Sequence, residues 1–209
     1  MISAQRALIR LHEGNQRFVK GRTERNILAS SASRHQLSTG QQPFAIILGC
    51  SDSRVPAEMV FDQGLGDLFV IRVAGNVVAP SQIGSVEFAV EKFNTQLVVV
   101  LGHSLCSAVI TSLEELQQST GRRSPNLSAI VDRIRPPLVP LLSAAQANGQ
   151  NDLLARAIRA NIAHSVKCLQ HGSQLIEQMM ENDELKILGA EYSLETGLVD
   201  FFDTVPEAG

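Results

Sequence analysis

Tryptophan is absent from this 209-residue sequence, tyrosine occurs once, and aromatic residues make up 4% of it. Any core must therefore be built mainly from aliphatic side chains. Cysteine occurs three times, too sparse for a disulfide framework in a chain of this size. Cys50, Cys106 and Cys168 accordingly read as thiols or ligands. No run of about 18 apolar residues occurs, so no membrane-spanning helix is expected. A basic excess is also missing: 18 Lys+Arg against 21 Asp+Glu give a formal charge of −3. Without a basic stripe to release counterions from phosphates, a nucleic-acid partner is not expected. Residues 1–22 carry charges throughout and lack the apolar core and cleavage site of a signal peptide. A cytoplasmic location is the expectation, although a mature exported chain would read the same way.

What is present suits a folded chain. Hydrophobic residues are 44% and charged residues 19%, the balance of a globular protein, and no repeat or linker divides residues 1–209 into more than one domain. Ala7, Leu8, Leu11 and Phe18 recur at helical spacing, which predicts an amphipathic helix over 3–20. Four apolar runs follow, at 44–48, 68–71, 97–101 and 185–190, apolar on both faces as a buried parallel sheet requires. Helical patterns at 82–93, 104–119, 127–134 and 152–181 alternate with them, which predicts an α/β fold with a mostly parallel sheet of four strands flanked by helices. Leu198–Phe202, after the turn at 195–197, predicts a fifth strand antiparallel to the fourth. Residues 121–126 read as an exposed loop, and Pro136, Pro137 and Pro140 are expected to interrupt the helices around them. The apolar stripe of the first helix is more than a small domain can bury alone, so it is expected to pack on a partner subunit.

Chemistry concentrates at the strand ends. Cys50 follows the first strand directly; His103 and Cys106 follow the third. In open α/β sheets reacting groups gather beyond the carboxyl ends of the strands, and neighbouring parallel strands would bring these three together. The i,i+3 spacing of His103 and Cys106 predicts that both lie on one face of a helix's first turn. Two thiolates and an imidazole form a soft donor set suited to Zn²⁺, with the fourth tetrahedral position open. A cysteine ending an apolar strand is commonly just a small buried hydrophobe; the coincidence of all three positions favours ligands. Asp52 and Arg54, two apart in a tight loop, can pair, which would keep the carboxylate ionised and aimed; a plain loop salt bridge is the simpler alternative. Cys168, His164 and His171 lie on the C-terminal helical pattern away from strand ends and read as ordinary helix residues.

These residues carry a resemblance. CSDSRV at 50–55, RVAGNVV at 72–78, SVEFAV at 85–90 and VVVLGHSLC at 98–106 resemble the β-class carbonic anhydrases, over residues 4–202. The resemblance implies reversible hydration of CO₂ to bicarbonate and a proton. It implies one Zn²⁺ per chain on Cys50, His103 and Cys106, with access governed by Asp52 and Arg54. It implies homodimers or dimers of dimers with active sites at the subunit interface. It further assigns Gln41, nine residues before Cys50, to substrate orientation, and Phe69 and Phe88 to an aromatic pocket. As residues alone, Gln41 is a loop amide and the two phenylalanines are core. Arg72 matches an interface position and is left out of catalysis.

Two departures stand out. Ile47 occupies the place where the bicarbonate-inhibited subgroup carries Trp, which implies the plant-like, permanently open subgroup. Ser107 replaces a Gly beside the second thiolate and so enters the expected substrate pocket. If that position needs a positive φ, its Cβ costs roughly 1 kcal/mol; if it is helical, the backbone is content and only a hydroxyl is added. Two thiolates and a neutral imidazole cancel the charge of a divalent zinc, so activity is expected to rise toward alkaline pH. Hydrolysis of carbonyl sulfide or carbon disulfide on the same scaffold, and a non-catalytic zinc or bicarbonate-binding module, are the rival readings.

Overall fold

A computed structural model describes residues 2–23, 35, 37–117, 124–148 and 152–202. Five strands, β1 (Ala45–Gly49), β2 (Leu68–Arg72), β3 (Leu97–His103), β4 (Lys186–Tyr192) and β5 (Val199–Phe202), form one sheet in the order β2-β1-β3-β4-β5. The first four pair in parallel and β5 pairs antiparallel to β4, as the apolar runs predict. The period-2 alternation of side chains divides each strand between two cores. Ile46, Leu48, Val98 and Val100 face one cluster, and Ala45, Ile47, Val99 and Leu101 face the other. β1 sends the chain to β2 on one side, while β3 lies on its other side. The crevice beyond the ends of β1 and β3 is therefore the topological switch point of the sheet.

Helix α1 (Ala4–Val19) starts at an N-cap Ser3 whose hydroxyl accepts from the Arg6 N–H. Ala7, Leu11, Gly14 and Asn15 are its buried face, seated on the chain's own sheet, while Ile9 stays exposed. The Asn15 amide donates to the carbonyls of Val60 and Gly197 and accepts from the Val199 N–H. The short α2 (Ala57–Val60) follows β1, and α3 (Pro80–Phe93), with Pro at its first position, crosses from β2 to β3. The long passage from β3 to β4 contains α4 (Ser107–Gln117), α5 (Pro125–Asn148), α6 (Leu153–Gln170) and α7 (Gln174–Glu181). No helix of the described residues is long and apolar enough to cross a membrane.

Three expectations are corrected. α5 runs straight through Pro136, Pro137 and Pro140. Pro136 and Pro140 lie on its exposed side, where water can satisfy carbonyls left without an N–H, and the buried Val131, Ile134 and Leu138 anchor the opposite face. The single helix expected at 152–181 is two, because Ser173 caps a new start by accepting from the Ile176 N–H. The helix expected from residue 104 begins at Ser107, since Leu105 has φ 56° and cannot be helical. Residues 118–123, including the first half of the expected loop, lie outside the described residues, and Pro125 and Asn126 already belong to α5.

Gly14 shows how closely α1 is seated: a Cβ there would lie 1.8 Å from the Phe61 carbonyl oxygen and 2.7 Å from Gln63 Nε2. Gly14→Ala should therefore lower stability by roughly 1–2 kcal/mol, because overpacking against backbone outweighs the gain in helix propensity. Chemical denaturation measures this, and an unchanged or raised midpoint would mean that α1 is not held at this contact.

Candidate metal centre

Register brings the ligands together. Gly49 on β1 is level with Leu101 on β3, so Cys50 and His103 emerge side by side at the sheet's carboxyl edge. His103 is the last residue of β3, not part of a helix, which corrects the expected helical pairing with Cys106. A tight turn brings Cys106 back, made possible by the left-handed Leu105. That conformation costs a branched residue about 1–2 kcal/mol. The Cys106 carbonyl then accepts from the N–H groups of Val109 and Ile110, opening α4. One atom each of Cys50, His103 and Cys106 lies within 4.8 Å of the others, all three buried, so the group could hold a metal ion.

The surroundings favour such a role. His103 Nδ1 lies 2.9 Å from the Ser104 carbonyl oxygen, which fixes that nitrogen as the donor and leaves Nε2 as the free base. Nε2 is buried and makes no hydrogen bond. Cys50 Sγ accepts the Gly75 N–H at 3.3 Å. The Cys50 thiol is pulled far below its usual value, first by its hydrogen bond with Cys106; the same bond, with burial, pushes Cys106 far up. Two buried thiolates side by side oppose each other's ionisation, a conflict that a divalent cation between them would relieve. Burial opposes a charged His103, yet the Cys50 sulfur and the Asp52 carboxylate raise its pKa.

Beside the trio, Arg54 grips Asp52. Its Nε donates to Oδ1 at 3.0 Å, its Nη2 to Oδ2 at 2.8 Å, and its backbone N–H to Oδ1 at 3.0 Å. This bidentate fork holds the Asp52 carboxyl well below the usual carboxylate range. Asp52 Oδ2 stands 3.8 Å from His103 Nε2, at the edge of the ligand group. Arg72, set aside on sequence grounds, turns out to pin this loop: it donates to the Cys50 carbonyl at 2.9 Å and the Asp52 carbonyl at 2.6 Å.

Other expected site residues are not brought here within one chain. Gln41 is exposed and precedes β1, so the five residues of β1 alone put roughly 16 Å between it and Cys50. Phe69 pairs with Ile46 near the start of β1, roughly 13 Å from Cys50 along the sheet. Phe88 lies with it: Phe69, Phe88 and Phe93 form an aromatic trio with centroids 5.9–6.2 Å apart, and Phe88 is 54% exposed. Ser107 begins α4 without a positive φ and points to solvent, which removes the backbone penalty considered for it. On α6, Cys168 Sγ lies 3.6 Å from His164 Nε2, and His171 follows the helix as its C-cap.

Comparison with known proteins agrees with this geometry. The profile of the family described as carbonic anhydrase matches residues 45–199. Carbonic anhydrase 2 of Mycobacterium tuberculosis is 37% identical over 202 residues, covering 95% of this chain and 93% of that protein. A carbonic anhydrase of Mycolicibacterium smegmatis is 35% identical over 199 residues, with the same coverage. Among solved structures, the β-carbonic anhydrase CcaA is similar with a TM-score of 0.71 at 28% identity, covering 96% of this chain and 93% of its own. The β-carbonic anhydrase CafA of Aspergillus fumigatus gives 0.72 at 26%, covering 83% and 82%. With its sheet order, its Cys-His-Cys group and these relatives, the chain belongs to the β-class carbonic anhydrases, the enzymes that interconvert CO₂ and bicarbonate.

Proposed function

We propose that this chain hydrates CO₂ at one Zn²⁺ held by Cys50, His103 and Cys106, in a homodimer or dimer of dimers whose subunits complete each other's sites. The observation that carries it is the buried convergence of two sulfurs and the unpaired His103 Nε2. Sulfur and imidazole donors fit zinc, and three protein ligands leave a position for chemistry. The ion would supply a Lewis acid that acidifies water and makes it a nucleophile, less strongly on two thiolates than on neutral ligands alone.

The chain's own residues do the rest. Arg54 keeps Asp52 ionised and stops it from swinging toward the ligands. Asp52 then offers a fixed acceptor at the edge of the site, able to take a hydrogen bond from the attacking water and so aim its lone pair. Arg72 sets the height of that carboxylate by holding the backbone on either side of Ser51. Gln41, Phe69 and Phe88 are too far from Cys50 in their own chain. They serve a site only if a partner subunit presents them, Gln41 to orient a substrate oxygen and the phenylalanines to exclude water. The exposed Phe88 in its aromatic cluster is the surface such a contact would cover. The helical, solvent-facing Ser107 lends no support to the rival substrates or to a non-catalytic module.

Cys106→Ala should lose most bound zinc by metal analysis, because one thiolate and one imidazole hold the ion weakly; full occupancy would refute the ligand set. Arg54→Ala should keep its zinc while kcat/KM for CO₂ hydration falls roughly 10- to 100-fold in stopped-flow measurements. A near-native rate would reduce the pair to a loop salt bridge.

The pH profile is a further check. A carboxyl whose pKa is depressed on folding contributes its pairing fully above its unfolded value, and loses it only as pH falls through the lower folded value. Arg54 depresses Asp52 in this way. The rate should rise toward alkaline pH without a separate inflexion between about pH 4 and 6, the usual carboxylate range and just above it. Such an inflexion, abolished by Asp52→Asn, would show that Arg54 does not hold the carboxylate.

For assembly, light scattering should give a dimer or a multiple of it. Hybrids of Gln41→Ala and Arg54→Ala chains, dissociated and reassembled together, should be more active than either parent. An active monomer, or hybrids no better than the parents, would place Gln41 outside the site.

A further inference from the structure

A polar contact behind the ligands is not explained by packing alone. Asn161 is 1% exposed on a face of α6 that also buries Ile158, Ile162 and Leu169. Its Nδ2 donates to the Gly75 carbonyl at 2.9 Å, while its Oδ1 is buried without a partner. A buried amide left half satisfied is worse for packing than an apolar side chain of its size, so its use lies in the bond it does make.

That bond fixes the peptide between Gly75 and Asn76. Its carbonyl is held by Asn161, and its N–H donates to the Val73 carbonyl at 3.0 Å. Gly75 lies at φ 67°, ψ 18°, and Asn76 also has a positive φ, of 45°. A glycine at such a turn can rotate unless its flanking peptides are held. The space admits nothing larger: a Cβ on Gly75 would meet Ile134 Cδ1 at 2.7 Å and Ala108 Cβ at 3.1 Å. In this conformation the Gly75 N–H points at Cys50 Sγ, 3.3 Å away.

We propose that Asn161 is a positioning residue for the Cys50 thiolate: by holding the Gly75 carbonyl it keeps the Gly75 N–H on the sulfur, drawing charge from it and limiting how strongly it donates to the metal. Groups behind a ligand tune a metal site in this way. The inference rests on Cys50 being a metal ligand.

The test uses metals with a spectroscopic signature. In the cobalt-substituted protein, Asn161→Leu removes the donor at similar volume. The thiolate-to-cobalt charge-transfer band should move to longer wavelength, because a sulfur relieved of its hydrogen bond gives up an electron more easily. A folded Asn161→Leu protein with an unshifted band would reduce Asn161 to a packing residue. In the wild-type protein loaded with ¹¹³Cd, the Gly75 amide proton should show scalar coupling to the metal through Cys50 Sγ. This measurement needs no variant, so the bond on which the inference depends is put at risk even if Asn161→Leu does not fold. Absence of that coupling, with cadmium bound and other thiolate couplings visible, overturns the inference alone. Failure of the wild-type protein to take up either metal at Cys50 overturns the metal assignment with it. CO₂ hydration is not read in either experiment, so a wrong substrate assignment would leave this result standing.

Discussion

The in-register parallel pairing of β1 with β3 sets the height at which Cys50 and His103 leave the sheet, and every other part of the centre is arranged around those two points. A one-residue slip would turn Cys50 to the opposite face and exchange the two core clusters. Because both faces of β1 and β3 are buried, a slip would have to repack two close-packed clusters of different side chains at once, which holds the register. Site and core are thus specified by the same alternation of side chains.

Around this frame the chain uses backbone conformations that cost free energy. Leu105 takes a positive φ next to Cys106, and Gly75 and Asn76 take one where the chain meets the Cys50 sulfur; of these the leucine and the asparagine are the costly ones, and such residues persist where their surroundings over-determine them. Leu105 returns Cys106 to the site, and Gly75 aims an N–H at Cys50. The opening turn of α4 further lowers Cys106, through the N–H groups of Val109 and Ala108, against the larger effects that raise it. Sulfur charge is therefore countered by peptide dipoles from two directions, while Arg54 is occupied by Asp52 and Arg72 by the loop carbonyls.

The strands, their order of use and the ligand trio were legible in the sequence because buried parallel strands are continuous apolar runs, and Cys50, His103 and Cys106 fall at their ends. The Asp52–Arg54 pair was legible from its spacing in a short loop. The turn at Leu105 was not, since leucine carries no signal for a left-handed backbone. The course of α5 through three prolines was hidden because propensity cannot register that Pro136 and Pro140 lie on the side that faces water. Arg72 and Asn161 were missed for another reason: each acts on a backbone carbonyl, and no residue-type pattern marks a main-chain acceptor. RVAGN at 72–76 held the one hint, a glycine followed by asparagine where the chain must turn.

The two edges of the sheet are defended unequally. β5 carries the exposed Asp200, paired with Arg159, the sort of edge charge that discourages strand addition. β2 presents Leu68, Phe69, Val70 and Ile71 with no charge among them, and its only cation, Arg72, is committed to the carbonyls of Cys50 and Asp52. The guanidinium that would guard that edge has been diverted to the loop of Cys50 and Asp52. Among the described residues no free charge on β2 opposes pairing with another chain, which leaves its short length as the brake. If copies of the chain assemble through that side of the sheet, solubility and self-association are coupled, and a mutation that separates them would be selected against for precipitation as much as for lost turnover.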